Sequence, residues 1–196
     1  NSHILVSCHI AELCEEKEIA VFIPTMPPYD SARYIDPSPD KWQTYLKLLR
    51  TLAETAKTYK SVIFYAIWQP LFCDVIDENE FKELMETAVA TVKEVDPNHM
   101  VSVFSDYPPD WAMLPKTWSE NVTLVGVQPY SLIRDEIDKD RIISYIQYYE
   151  GGPPVYIDEW GFRTYAQPNG GTHGLTERKC ENIIEFIYVT RTLPIL

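Results

Sequence analysis

Short apolar runs and amphipathic stretches alternate along this chain, and that alternation restricts the fold more than any single residue does. The runs "EIAVFIPT" (18–25), "SVIFYAI" (61–67), "MVSVFS" (100–105), "NVTLVGVQPY" (121–130) and "PVYIDEW" (154–160) are rich in β-branched and aromatic residues and are bounded by turn-forming or charged positions. Between them lie stretches with apolar residues at three- and four-residue spacing: Ile4 to Glu16, the segment 36–60 after a proline-rich loop with Asp40 as the expected cap, 77–97 closed by Pro97, and 138–152 stopped by glycines. A last helix is expected over 176–191, capped by Thr176. The pattern predicts five strands and about six helices in strict alternation.

Strands that are apolar almost throughout and separated by helices imply a parallel sheet covered on both faces, because a half-exposed antiparallel sheet alternates apolar with polar positions. Two α/β architectures satisfy this, an open doubly wound sheet and a (β/α)8 TIM barrel. The open sheet usually carries a glycine-rich phosphate loop, and the seven glycines here form neither GxGxxG nor GxxxxGK. The barrel is therefore expected. A complete barrel takes about 250 residues, so 196 residues with five strands predict an incomplete one. With no linker, low-complexity tract or repeat, residues 1–196 read as a single domain.

A net charge of −12, with acidic residues spread along the chain, opposes a nucleic-acid partner. No apolar run reaches the roughly 18–20 residues of a membrane span, and the first residues lack a signal pattern. Cys8, Cys14, Cys73 and Cys180 form no CxxC pair and leave the disulfide state open. Cys8 and His9 would point about 100° apart on a helix, so no metal site is expected there. The triplet Asn121-Val122-Thr123 is a glycosylation sequon, which favours an extracellular or secreted protein.

In a barrel, catalytic groups gather where strands end at the C-terminal face. The ends here read Pro24-Thr25-Met26, Trp68-Gln69-Pro70, Ser105-Asp106-Tyr107, Gln128-Pro129-Tyr130 and Asp158-Glu159-Trp160-Gly161. Carboxylates, amides and aromatic rings on one face suit a carbohydrate, since rings stack on the apolar faces of sugars and polar groups bind hydroxyls. Trp68, Trp111 and Trp160, with Asp106 and Gln128, are the expected substrate contacts, whereas Trp42 and Trp118 read as packing residues. Asp158 precedes Glu159 and would point the other way, toward the helix layer. His99, at a strand entrance, falls on the stability face of a barrel.

In order and spacing these segments resemble the clan A, cellulase-like glycoside hydrolases, retaining (β/α)8 enzymes whose strand four ends in Asn-Glu-Pro and strand seven in Glu-Phe-Gly or Glu-Tyr-Gly. "YIDEWG" (156–161) resembles the strand-seven motif, "WQTYLKLLRTLAETAKTYKSVIFYAIWQP" (42–70) the segment leading into strand four, "VGVQPYS" (125–131) strand six, and "EIAVFIPT" (18–25) strand three. The resemblance implies a β-glycoside hydrolase in which Glu159 is the nucleophile, Tyr130 orients it, and Gln69 occupies the position of the general acid/base, with Trp68 in place of the asparagine. It implies no metal or organic cofactor. A carboxamide has no proton to donate. Four readings stay open: an engineered replacement of glutamate, a substitute acid among Asp74, Asp77, Glu78 and Asp106, a non-catalytic carbohydrate-binding or structural barrel, or a different register. An incomplete barrel also needs another segment or chain to cover its exposed strand edge.

Overall fold

The computed structural model describes residues 2–30, 35–68, 77–105, 115, 117–127 and 139–157. Its elements run α1 (Ser2–Glu16), β1 (Val21–Thr25), α2 (Pro39–Ala56), β2 (Val62–Trp68), α3 (Glu78–Val95), β3 (Met100–Ser105), β4 (Leu124–Val127), α4 (Lys139–Tyr148) and β5 (Val155–Ile157). Each lies where the alternating pattern puts it. The expected helix over 176–191 lies outside the described residues.

All five strands form one parallel sheet in the order β1-β2-β3-β4-β5. This order separates the two candidate architectures better than the missing phosphate loop does. A doubly wound sheet must reverse its strand order somewhere, to place helices on both faces. Here every strand pairs with its predecessor, and right-handed crossovers then lay successive helices on the same face. The result is a sector of a (β/α)8-type barrel, with helices outside and the opposite sheet face turned inward.

The two faces pack differently. Ile23, Tyr65, Ile67, Val101, Val103, Val125 and Val155 share one large core with Trp42, Tyr45, Leu49 and Leu52 of α2 and Phe81, Met85, Val89 and Val92 of α3. Burying each of the large apolar side chains contributes about 1.5–3 kcal/mol. Ala53, Ala56 and Ala88 are fully buried, which lets the helices approach the sheet closely. On the inward face Phe64, Ala66 and Leu124 form a second cluster with Tyr156 against it. Phe64 stacks on Phe22 at 5.1 Å and meets Tyr156 edge-on at 5.3 Å, and the Tyr156 hydroxyl lies 3.0 Å from Ser102 Oγ. Phe22 and Met100 on this face remain 42% and 40% exposed, so the inward layer is only partly covered by the described residues.

Two helix starts refine the sequence reading. Asp40 does not cap α2: the helix begins at Pro39, Ser38 is the N-cap without a side-chain hydrogen bond, and Asp40 sits within the first turn. Proline has no N–H to satisfy and its φ is already helical, so it takes the first helical position and moves the cap back to Ser38. For α3 the cap is Asp77, whose Oδ1 accepts from the N–H groups of Asn79 at 2.8 Å and Glu80 at 2.9 Å. Asp77→Ala is expected to cost about 1 kcal/mol of stability, read as a lower urea midpoint at unchanged m-value. A shift as small as that of an exposed alanine control would mean that the cap contributes nothing.

The N-terminal edge of the sheet is tied by a buried carboxylate. Asp96, just past α3, is 2% exposed. It accepts from the Tyr65 hydroxyl at 2.8 Å, from His99 Nδ1–H at 2.6 Å, and from the N–H groups of His99 at 3.2 Å and Asn98 at 3.3 Å. Lys93 Nζ donates to the His99 carbonyl at 2.7 Å. His99 thus serves the strand entrance, in keeping with its expected place on the stability face.

Candidate active site at the C-terminal edge

The register fixes where the candidate residues leave the sheet. Thr25, Ile67, Val103, Val125 and Val155 stand in one row across all five strands. β1 ends on that row; beyond it the described residues of β2 reach Trp68, and those of β3, β4 and β5 reach Ser105, Val127 and Ile157. Met26, Gln69, Asp106, Gln128 and Asp158 are the next residues in sequence. Because the five strands are parallel, their C-terminal ends lie toward one edge of the sheet, the edge at which (β/α)8 enzymes build their sites.

Of the expected site residues, Trp68 closes β2, where its backbone pairs with that of Phe104. Gln69, Asp106, Trp111, Gln128, Tyr130, Glu159 and Trp160 lie outside the described residues. Tyr156 faces inward and Ile157 packs toward the helices. Asp158, expected to point toward the helix layer, lies outside the described residues. Among the substitute acids, Asp77 is engaged as the α3 cap and Glu78 stands in the first turn of that helix. Asp74 and Asp106 lie outside the described residues.

The edge is braced from the helix side. Thr25 Oγ1 lies 3.1 Å from the Tyr45 hydroxyl of α2. Burial pushes the Tyr45 phenol up, partly offset by the hydrogen bond with Thr25, so it stays a neutral bracket. Hydrogen bonds from Lys41 and Ser38 hold the Asp36 carboxyl down at about 2, so it remains an anionic anchor for the loop between β1 and α2. The sequence shows this loop by its prolines but assigns it no functional residue. Its signal is "MPPYD", where two prolines set an aromatic residue just past a strand end.

Among the described residues no group of three His, Cys, Asp or Glu side chains could hold a metal ion. No described helix is long and apolar enough to cross a membrane.

The parallel sheet and its strand order define the class as a sector of a (β/α)8-type α/β barrel. No family model matches the chain, and no curated protein matches it. Solved structures do share the fold. The β-D-glucuronidase of Dictyoglomus thermophilum superposes with a TM-score of 0.69 at 14% identity, covering 94% of this chain and 34% of that one. A β-galacturonidase from Eisenbergiella tayi, solved with galacturonate, gives 0.64 at 19% identity over 93% of this chain and 33% of its own. A cellulase gives 0.65 at 16% identity, over 95% and 54%. The chain spans about a third of the length of the first two structures and about half of the cellulase.

Proposed function

We propose that the chain is part of a retaining β-glycoside hydrolase barrel in which Gln69 occupies the acid/base position, so that hydrolysis of natural glycosides is weak or absent. The reading rests above all on a parallel sheet in barrel order whose strands are followed in sequence by segments rich in carboxylates, amides and aromatic rings. The solved structures that share this fold carry glycosidase names, which supports the same class.

In this reading the Glu159 carboxylate attacks the anomeric carbon of a β-linked sugar, the bond to the leaving oxygen breaks, and a glycosyl ester forms. Tyr130 hydrogen-bonds the carboxylate, while Trp68, Trp111, Trp160, Asp106 and Gln128 hold the sugar. The leaving oxygen needs a proton that the Gln69 carboxamide cannot supply. Activated aryl leaving groups depart without one. The test is intact-protein mass spectrometry after exposure to dinitrophenyl β-glucoside, β-glucuronide and β-galacturonide. One added glycosyl residue that vanishes in Glu159→Gln supports the assignment. A label that survives Glu159→Gln and vanishes in Asp158→Asn would transfer the nucleophile's role to Asp158. Folded protein that takes no label from any donor would favour the second reading, a barrel domain that binds carbohydrate without cleaving it; Gln69 is the feature that favours it.

The proposal includes a further segment or chain completing the barrel on the β1 side. Phe22, Ile63 and Met100 of the sheet and Ile10 and Leu13 of α1 are each at least 40% exposed. Such apolar surface calls for a cover. The sequon at Asn121 supports, as part of the same proposal, an exported protein.

A further inference from the structure

The loop between β1 and α2 is described over residues 26–30 and 35–38, and it is pinned at several points. Tyr29 and Ile35 form an isolated antiparallel bridge, and the Asp36 N–H donates to the Pro28 carbonyl at 2.8 Å. Ile35, 2% exposed, is sunk in the main core. Asp36 accepts from the Ser38 N–H at 3.0 Å and from Lys41. Pro27 is buried, and Pro27 and Pro28 each hold one backbone dihedral.

On this frame two large side chains remain in solvent: Tyr29 is 50% exposed and Met26 is 39% exposed. Their position is specific. Thr25 pairs with Ile67, so Met26 follows β1 at the level where Trp68 closes β2, one residue before Gln69. The half-exposed ring thus rides on a loop that leaves the sheet beside the strand carrying the acid/base position. An aromatic ring with a hydroxyl at its tip suits a pyranose, offering an apolar face to the sugar ring and a polar atom to its hydroxyls. Because the Tyr29–Ile35 bridge and the Pro28–Asp36 hydrogen bond already hold the backbone at Tyr29, little of its conformational entropy remains to be lost on binding.

Building on the proposed glycosidase reading, we infer that Tyr29, supported by Met26, forms an additional sugar subsite on the Gln69 side of the cleft, for a pyranose unit of a β-linked oligosaccharide beyond the one whose bond is attacked. The subsite makes the protein selective for chain length. A monosaccharide glycoside does not reach Tyr29, and a longer oligosaccharide does.

The test is calorimetric titration of the full chain and its Tyr29→Ala and Tyr29→Phe variants. The probes are β-linked gluco-, galacto- and glucurono-oligosaccharides, each as a disaccharide and a pentasaccharide. The expected result is a pentasaccharide bound more tightly than its disaccharide, a roughly ten-fold loss for the pentasaccharide alone in Tyr29→Ala, and retention of most affinity in Tyr29→Phe. The exposed ring makes loss of folding a poor explanation, and superimposable circular dichroism melts check it. Equal affinities of wild type and Tyr29→Ala for a pentasaccharide that binds would overturn the subsite and leave the glycosidase reading standing. So would an equal loss on both probe lengths. Absence of binding to every probe by the wild type would overturn both.

Discussion

Replacing Gln69 by glutamate is expected to raise kcat/KM on an unactivated β-glycoside by about 10²–10⁴-fold, the usual contribution of a positioned general acid. On a dinitrophenyl glycoside the same substitution should change the glycosylation rate little, because that leaving group departs as a stable anion. Two substrates therefore isolate proton donation from every other effect of the change. In the double variant Gln69→Glu/Glu159→Gln the gain should disappear, since a donor without a nucleophile cannot complete the retaining sequence. Steady-state rates on both substrates check all three statements. A rise on the activated substrate equal to that on the natural one would point to substrate binding and remove Gln69 from the acid/base role. No gain on either, in folded protein, would leave the carbohydrate-binding reading as the better one. The geometric demand is strict, because two carboxyl groups about 5–5.5 Å apart are needed. β2 and β5 are separated by two intervening strands, roughly 14 Å along the sheet, so only a curved sheet with inward-turned side chains could meet that distance.

The second large effect is expected at the other edge of the sheet. Asp96→Ala removes one acceptor from four donors in a buried setting, and loss of a buried charged partner costs about 3–5 kcal/mol. That is a large share of the 5–15 kcal/mol typical of a folded domain, so much of the variant should be unfolded or aggregated at ambient temperature. Asp96→Asn keeps the shape and part of the acceptor capacity, and remains suitable for equilibrium work. Burial alone would push the Asp96 carboxyl up, but hydrogen bonds from Tyr65 and from the His99 N–H and imidazole outweigh it and hold the group below the ordinary aspartate range. A carboxyl whose pKa is lower folded than unfolded contributes stability that is fully present above the unfolded value and is lost as pH falls through the folded one. The gap in urea midpoint between wild type and Asp96→Asn should therefore be widest near neutral pH and narrow below about pH 4. A gap that stays constant between pH 7 and pH 3 would show that the charge of Asp96 contributes nothing and that only its shape matters. Tyr65, His99 and Lys93 are the titratable groups beside it, so the comparison should be repeated in Tyr65→Phe, where the gap is expected to shrink.

Particular elements show what could be read in advance. The strands were legible because a buried parallel strand must be apolar on both faces, and "VIFYAI" and "LVGV" satisfy that locally. The helices were legible from the spacing of Trp42, Tyr45, Leu49 and Leu52, and of Phe81, Met85, Val89 and Val92. Capping was harder to read. Asp40 and Ser38 are both good cap residues two positions apart, and only the proline between them settles which one the helix uses. The Asp96 cluster joins residues 31 positions apart, and nothing local in "DPNH" announces that Tyr65 donates to it. For the candidate site, Trp68-Gln69 and Asp158-Glu159 stood out as polar groups ending apolar runs. Tyr29 did not, because an aromatic residue between prolines and an aspartate looks like any turn.

The sequence by itself determined the alternation of strand and helix, the apolar character of the strands and the polar and aromatic residue types that follow them, because each depends only on periodicity and residue type over a few neighbours. The tertiary structure decided the strand order, which separates a barrel sector from a doubly wound sheet, and the parallel register, which turns all five strands the same way. It also decided which faces stay uncovered and which distant side chains share Asp96. These depend on pairings between residues far apart in the chain, whose free energy is set by burial and hydrogen bonding in three dimensions, and local composition carries almost no record of them.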